Sequence, residues 1–359
     1  MSRPVKFTAP APRHVRSSFD LTPEETRGVV DLALRLKRDR AAGVDQRYLP
    51  GKVLGLVFEK PSLRTRVSFE AAIAHLGGAC IFLTGKEVGL GERETVADFA
   101  GVMSGYVDAL AIRTFAQSRV DELAAASAKP VINALSDRDH PCQALGDLAT
   151  VLEHFGRLDG IRIAFVGDAN NVSKSLATAA RHCGVEFTLA APPAYEFDDE
   201  FLARVAKAGG TGKVRMTADP VAAVKEADVV YTDVWASMGQ ETEAQTRKEA
   251  FAPYRVDAAL FKKAAPGARF LHCLPARRGE EVTAEVIDGP ASLIFPQAEF
   301  RLHAQKALLL WLLTGTLGIP AAAGPKRAPA GAPKNSRPAA TKNGGQRGTG
   351  AKAARARRA

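Results

Sequence analysis

The chain has 359 residues, with 49 Lys and Arg against 39 Asp and Glu and a formal net charge of +10. Ten of the basic residues and none of the acidic ones lie in residues 321–359, which leaves 39 against 39 in residues 1–320 and excludes a protein that is basic throughout. A hydrophobic content of 46% is ordinary for a globular chain, and a body of this length suits two domains better than one core.

In chain order, VLGLVF at Val53–Phe58 reads as a buried strand, and the pattern after it predicts a helix over 64–76. Apolar runs at 109–112 and 131–134 predict two more strands, followed by a long amphipathic helix over 141–154. IRIAFV at 161–166 is the next strand, leading through Gly167-Asp-Ala-Asn-Asn171 into a helix over 174–183. Strands at Glu186–Ala190, Val229–Thr232 and Arg269–His272, a short helix over 222–227 and a last helix over 302–313 complete the pattern. Alternating strands and helices predict an α/β fold of two domains, each a mostly parallel sheet flanked by helices, joined by interdomain helices. The boundaries are expected at 17–150, completed by a C-terminal helix over 300–319, and at 151–299. The segment 321–359, with 13 Ala, 6 Gly and 4 Pro and no aromatic or branched apolar side chain, is expected to be a disordered basic tail, because it buries too little to offset its ordering entropy.

The four cysteines (Cys80, Cys142, Cys183, Cys273) form no C-x-x-C pair, which argues against a disulfide framework or zinc ribbon and suits the reducing cytoplasm. The first residues lack the apolar core of a secretory signal, and the apolar run at 307–313 is far below the ~20 residues that span a bilayer. A soluble chain with no membrane partner is expected.

In open parallel sheets, ligands bind beyond the carboxyl ends of the strands, so the loops there carry the functional information. Phe58-Glu-Lys-Pro-Ser-Leu-Arg-Thr-Arg66 puts Ser62, Arg64 and Thr65 at a helix start, a natural anion cradle that is not a Walker A loop. Arg113 and Thr114 follow the second strand, and His140-Pro-Cys-Gln143 follows the third. Taken singly these are a helix cap, a surface charge and a polar side chain. Together they deliver cations and donors from three successive strand ends, as a phosphorylated carbonyl compound requires. Gly167-Asp-Ala-Asn-Asn171 lacks G-x-G-x-x-G, and Gly89-Leu-Gly91 is not followed by the third glycine, so neither is a dinucleotide fingerprint. Asp233-Val-Trp-Ala-Ser-Met-Gly239 opens a polar stretch, read as a mobile loop to about Lys248. His272-Cys-Leu-Pro275 reads as a buried strand end with no third ligand beside it to support zinc.

FEKPSLRTRVSFE, HPCQALGDL, DVWASMG, HCLPARRGEEV and FRLHAQKALL occur in order between about residues 17 and 319, and with them the chain resembles the ornithine carbamoyltransferases. HCLP and D-x-x-x-S-M-G set the ornithine enzymes apart from the aspartate carbamoyltransferases. The resemblance implies transfer of a carbamoyl group from carbamoyl phosphate to the δ-amine of L-ornithine, with no metal or organic cofactor, by a cytoplasmic homotrimer of arginine biosynthesis whose sites lie near subunit interfaces. It implies that Ser62, Arg64, Thr65 and Arg113 hold the phosphate, Leu63 contributing its backbone N–H. His140, Gln143, Arg301, Cys273 and Leu274 would surround the carbamoyl group. Asn171, Asp233, Ser237 and Met238 would hold the amino-acid end of ornithine, with Cys273, near Asp233, orienting the amine. Arg113, His140, Asp233 and Cys273 are the expected catalytic residues, and Cys273 is not expected to act as a covalent nucleophile.

Two positions depart from the family pattern. Leu63 replaces the usual Thr, which removes one hydroxyl contact and leaves a related acceptor such as N-acylornithine as the alternative, and Ala169 replaces a common Gly. The segment 85–95, expected as a loop that meets a neighbouring subunit, has no residue that matches a family ligand. Intact DVWASMG and HCLP keep ornithine the favoured acceptor. The weaker alternative function is nucleic-acid binding by the tail, whose ten positive charges come without an aromatic residue for base stacking.

Overall fold

In a computed structural model, which describes residues 12–91, 93–236 and 241–320, the apolar runs form strands that all pair in parallel. Val53–Phe58 (β1), Ala79–Thr84 (β2), Ala109–Arg113 (β3) and Val131–Leu135 (β4) make one sheet in the order β2-β1-β3-β4. Arg162–Val166 (β5), Glu186–Ala190 (β6), Val214–Thr217 (β7), Val229–Thr232 (β8) and Arg269–His272 (β9) make the other, in the order β7-β6-β5-β8-β9. β1, β3, β5 and β8 are buried nearly end to end, as strands covered on both faces by helices must be. The strand order reverses between β1 and β3 in the first sheet and between β5 and β8 in the second, so each sheet has a crevice at its carboxyl edge there.

The first sheet's helices are Pro23–Ala41 (α1), Leu63–His75 (α2), Gly85–Val88 (α3), Val96–Tyr106 (α4) and Gln117–Ala126 (α5). Pro141–Phe155 (α6) carries the chain from β4 to β5. Asn171–His182 (α7), Asp199–Lys207 (α8), Pro220–Val224 (α9), Ala244–Phe251 (α10), Ala258–Phe261 (α11) and Ala284–Ile287 (α12) accompany the second sheet, and Ile294–Thr314 (α13) returns to pack on α6, α1 and α2. One apolar cluster joins both halves, from Leu54 and Phe69 through Leu145 and Leu308 to Phe165 and Phe187. The α6–α13 crossing is close. A Cβ on Gly146 would lie 3.3 Å from the Arg301 nitrogen, and this approach brings Arg301 of α13 beside Gln143 of α6.

The two-sheet expectation holds, and several boundaries move. α13 begins eight residues before its expected start because Pro296 sits in the first turn, where a missing N–H costs nothing. α7 begins at Asn171, capped by the Asn170 side chain on the N–H groups of Val172 and Ser173. The short helix expected at 222–227 runs from Pro220 to Val224 instead, capped by Asp219, and Glu226 beyond it has φ 64°. Residues 244–248, read as a mobile loop, are helical because α10 is anchored by buried Arg247 and Phe251. The segment 85–95 opens with α3, held by a capping box between Thr84 and Glu87. The expectations for Ser237, Met238 and residues 321–359 lie outside the described residues. Among the described residues, no helix is long and apolar enough to cross a membrane.

Candidate active site

The loops leaving β1, β3, β4, β5, β8 and β9 close around one cleft of about 880 Å³. Every described residue expected at the site lines it: Ser62, Leu63, Arg64, Thr65, Arg113, His140, Gln143 and Arg301 from the first sheet and its helices, and Asn171, Asp233, Cys273 and Leu274 from the second.

One wall is cationic. Ser62 caps α2 through its hydroxyl, which accepts the Thr65 N–H at 3.3 Å and donates to the Thr65 hydroxyl at 3.0 Å. Leu63 is the first residue of α2, so its N–H is one of the donors that a helix leaves unpaired at its start, and its side chain is 77% exposed. The Thr65 hydroxyl also accepts from Arg301 at 3.1 Å, and Arg301 donates to Gln143 Oε1 at 2.6 Å. Gln143 in turn donates through Nε2 to Asp147 at 2.7 Å, where Gln297 donates as well, so the amide is oriented from both ends and keeps one N–H to spare.

Burial concentrates this charge. It lowers the Arg113 guanidinium to about 10, helped by Arg301 and Arg64, and lowers Arg301 too. The His140 imidazole is driven well below its ordinary range by burial and by Arg301, Arg113 and Lys60, so it is neutral at neutral pH. Arg113 Nε, His140 Nδ1 and Arg301 Nε are buried and make no hydrogen bond with described residues. The cleft lining formed by Arg64, Arg113, His140 and Arg301 suits an oxyanion or a phosphoryl group.

The opposite wall is anionic. Asp233, at the end of β8 and 6% exposed, accepts at Oδ1 from the Val234 N–H at 2.8 Å and the Cys273 thiol at 3.0 Å, and at Oδ2 from Asn170 at 2.9 Å. Burial and the facing Asp233 carboxylate push the Cys273 thiol well above its ordinary range, so it is a hydrogen-bond donor and a poor nucleophile. Leu274 follows in the left-handed region at φ 59°, with its N–H on His272 Nδ1 at 2.9 Å. Asn171 lines the cleft, but its amide donates to the Ser136 carbonyl at 2.6 Å; its neighbour Asn170 is the one on Asp233.

Four further residues complete the site. Lys60, 8% exposed, lines the cleft beside the Phe115 ring, and burial with Arg113 lowers its ammonium to about 8. Asn170 joins the β5 and β8 loops. Asp147, fully buried, has its carboxyl raised to about 6 by burial and anchors Gln143. Arg247 pairs with Asp168 and donates to the Trp235 carbonyl at 2.5 Å, tying α10 to both strand-end loops. Lys60 and Asn170 stand inside motifs that the sequence displays. Asp147 lies four residues after Gln143 on the same helical face. Arg247 carries no local signal, because its burial depends on Tyr195 and Phe251.

The fold supplies a third potential ligand beside His272 and Cys273: Asp233, from the adjacent strand β8, correcting the expectation that none is near. Their ligand atoms lie within 4.8 Å of one another. Their chemistry does not fit a metal ion. His272 Nδ1 accepts the Leu274 N–H, Nε2 faces Glu281 at 3.2 Å, and the Cys273 thiol is committed to Asp233.

Residues 13–153 match the aspartate/ornithine carbamoyltransferase carbamoyl-P binding domain, and residues 159–312 match the Asp/Orn binding domain of the same family. The chain is 51% identical over 297 residues to the ornithine carbamoyltransferase of Bacillus subtilis, covering 82% of this chain and 92% of that one. Among solved structures it resembles the ornithine carbamoyltransferase of Pyrococcus furiosus, with a TM-score of 0.81 and 47% identity over 85% of this chain and 98% of that one. It also resembles that of Thermus thermophilus, with a TM-score of 0.76 and 44% identity over 84% and 99%.

Proposed function

The chain belongs to the aspartate/ornithine carbamoyltransferase family, and we propose that it transfers the carbamoyl group of carbamoyl phosphate to the δ-amine of L-ornithine, giving L-citrulline and phosphate. The observation that carries this reading is a single cleft with Arg113, His140 and Arg301 on one wall and the Asp233–Cys273 pair on the other.

The start of α2, with Ser62, the Leu63 N–H, Arg64 and Thr65, is assigned with Arg113 to the phosphate. His140, Gln143, Arg301 and the Cys273–Leu274 backbone are assigned to the carbamoyl group. The acceptor's amine must attack neutral, although an alkylammonium has a pKa of roughly 10, so the site binds the δ-nitrogen where it has lost its proton. Its lone pair forms the new C–N bond, negative charge gathers on the carbonyl oxygen against the neutral His140 imidazole and the guanidinium groups, and the C–O bond to phosphate then breaks. The departing phosphate takes the electron pair, and the proton released from the attacking nitrogen is available to it. Holding both substrates in one cleft supplies much of the acceleration, and fixed donors on the tetrahedral oxygen supply more. The thiol of Cys273 acts as a donor beside the amine, and direct attack needs no covalent enzyme intermediate.

Asp233 favours ornithine over other acceptors. Its carboxylate suits a free α-ammonium, which an N-acylornithine lacks, and it would repel the second carboxylate of aspartate. Asn171, Ser237 and Met238 are assigned to the same end of the substrate. We also assign the protein to arginine biosynthesis in the cytoplasm, as a homotrimer. Support for the assembly comes from the apolar side chains of Leu63 and Val67 on α2 and Ile81 on the edge strand β2, which are exposed in the single chain. Incubating the purified protein with carbamoyl phosphate and ornithine should yield citrulline and phosphate in equal amounts. Phosphate release without citrulline would sink the assignment.

A further inference from the structure

Asp139 lies in the turn between β4 and α6, immediately before His140, and is 5% exposed. Its Oδ1 accepts three hydrogen bonds: the Ser18 N–H at 3.1 Å, the Ser18 hydroxyl at 3.0 Å and the Ser175 hydroxyl at 2.6 Å. Ser18 belongs to the N-terminal turn and Ser175 to α7, so three separate segments meet on one oxygen. Ser175 is fully buried, and its oxygen accepts the backbone N–H of His140 at 2.7 Å. The Asn171 carbonyl, at 2.7 Å, is the other acceptor within reach of the Ser175 hydroxyl. A carboxylate is the stronger of the two.

His140 depends on this bond. It caps α6 at φ −139° and ψ 64° with no side-chain cap of its own, and its ring Nδ1 makes no hydrogen bond with described residues. The direction of the imidazole is therefore inherited from the backbone beneath it. With its hydrogen held on Asp139, the Ser175 hydroxyl is fixed in the orientation from which its oxygen accepts the His140 N–H. Burial deprives this carboxylate of hydration, and the serine donors and, at longer range, Arg204 of α8 offset that only in part.

We propose that Asp139 is a positioning residue for carbamoyl transfer: through the Ser175 hydroxyl it holds His140 in the orientation at which the imidazole meets the carbonyl oxygen of the donor. The proposal rests on the reaction assigned above. The link also spans the two halves of the site. α7 starts at Asn171, which donates to the Ser136 carbonyl, just after Asn170, which donates to Asp233. Asp139 thus sits where the segments carrying the donor and acceptor sides meet.

The test is a kinetic cycle on the full-length chain, with urea unfolding to confirm that each variant is folded. Asp139→Ala and Ser175→Ala should each lower kcat by about ten- to hundredfold, the scale of a misplaced catalytic group, with both KM values within about threefold. Asp139→Asn, which keeps an acceptor oxygen, should recover most of kcat. In a His140→Ala background, Asp139→Ala should cost less than about twofold, because the residue acts through His140. An equal cost in both backgrounds would make Asp139 a scaffold residue and overturn the proposal, as would a wild-type kcat in Asp139→Ala. If that variant does not fold, Ser175→Ala carries the same cycle, and a cost equal in the wild-type and His140→Ala backgrounds overturns the proposal. A wild-type chain that forms no citrulline overturns the functional assignment and this proposal together; an active wild type with an unaffected variant overturns this proposal alone.

Discussion

Changing Asp233 to Asn removes one charge from the acceptor wall with little change of shape. The carboxylate accepts from Val234 and Cys273 at one oxygen and from Asn170 at the other, at 2.8, 3.0 and 2.9 Å. An asparagine can keep its oxygen on Val234 and Cys273, but its NH₂ group then faces the NH₂ group of Asn170, and one of the two must turn away. Ornithine loses more than that. Its α-ammonium exchanges an ion-paired hydrogen bond to a carboxylate for a weaker one to a neutral amide oxygen. Hydrogen bonds to charged groups contribute about 1.5–3 kcal/mol, so kcat/KM for ornithine should fall by roughly 10- to 150-fold. The phosphate end is assigned to Arg64, Arg113 and the start of α2, so KM for carbamoyl phosphate should stay within about threefold. Arg64→Ala should do the reverse, raising KM for carbamoyl phosphate by about tenfold or more and sparing ornithine. The assay is the initial rate of citrulline formation, with each substrate varied at saturating concentration of the other. Parallel losses for both substrates in both variants would refute the division of the cleft into two ends.

Asp147 gives a pH prediction. Burial holds its carboxyl at about 6, above the ordinary carboxylate, so the native state binds its proton more tightly than the unfolded chain does. That contribution to stability is full below about pH 4 and is lost as pH rises through 6. Asp147→Asn abolishes it, so Tm of the variant relative to wild type should climb between pH 4 and 6 and level off above; a difference independent of pH would contradict this. Burial raises Cys80, Cys142 and Cys183 to about 12 and Cys273 well above the ordinary thiol. The native protein should therefore react with a thiol reagent at pH 8 far more slowly than the unfolded chain with its four thiols, and one fast native thiol would contradict that. A chain ending at Pro320 loses ten basic residues. It should keep citrulline formation within about twofold and lose any salt-sensitive retention on nucleic acid, whereas retention equal to that of the full chain would locate it in the body.

The strands were legible where burial on both faces forces continuous apolar runs, as in VLGLVF of β1 and IRIAFV around β5. Edge strands β2 and β7 are partly exposed, and ACIFLT and VRMT do not announce themselves in the same way. The cleft was legible because the chemistry of parallel sheets gathers at strand ends, and the quoted motifs stand there. What the sequence does not display is how those ends are tied together. Asn170 lies in the loop before the expected helix, and only the fold makes it the cap of α7 with its free amide on Asp233. Arg247 reads as one charge among many in a polar stretch until Tyr195, Phe251 and Asp168 enclose it. Asp139 carries no signal in the sequence, and it is buried where Ser18 and Ser175, respectively 121 and 36 residues away in sequence, converge on it.

The proposed cleft joins a carbamoyl donor to an acceptor recognised by its free α-ammonium. Comparing kcat/KM for ornithine, N-acetylornithine, putrescine and aspartate at one saturating concentration of carbamoyl phosphate tests this most directly. Ornithine should lead N-acetylornithine and aspartate by about a hundredfold or more, the scale expected when a site built around a charged partner is left unpaired or faces a like charge. An N-acylated acceptor or aspartate turning over as well as ornithine would contradict the role given to Asp233.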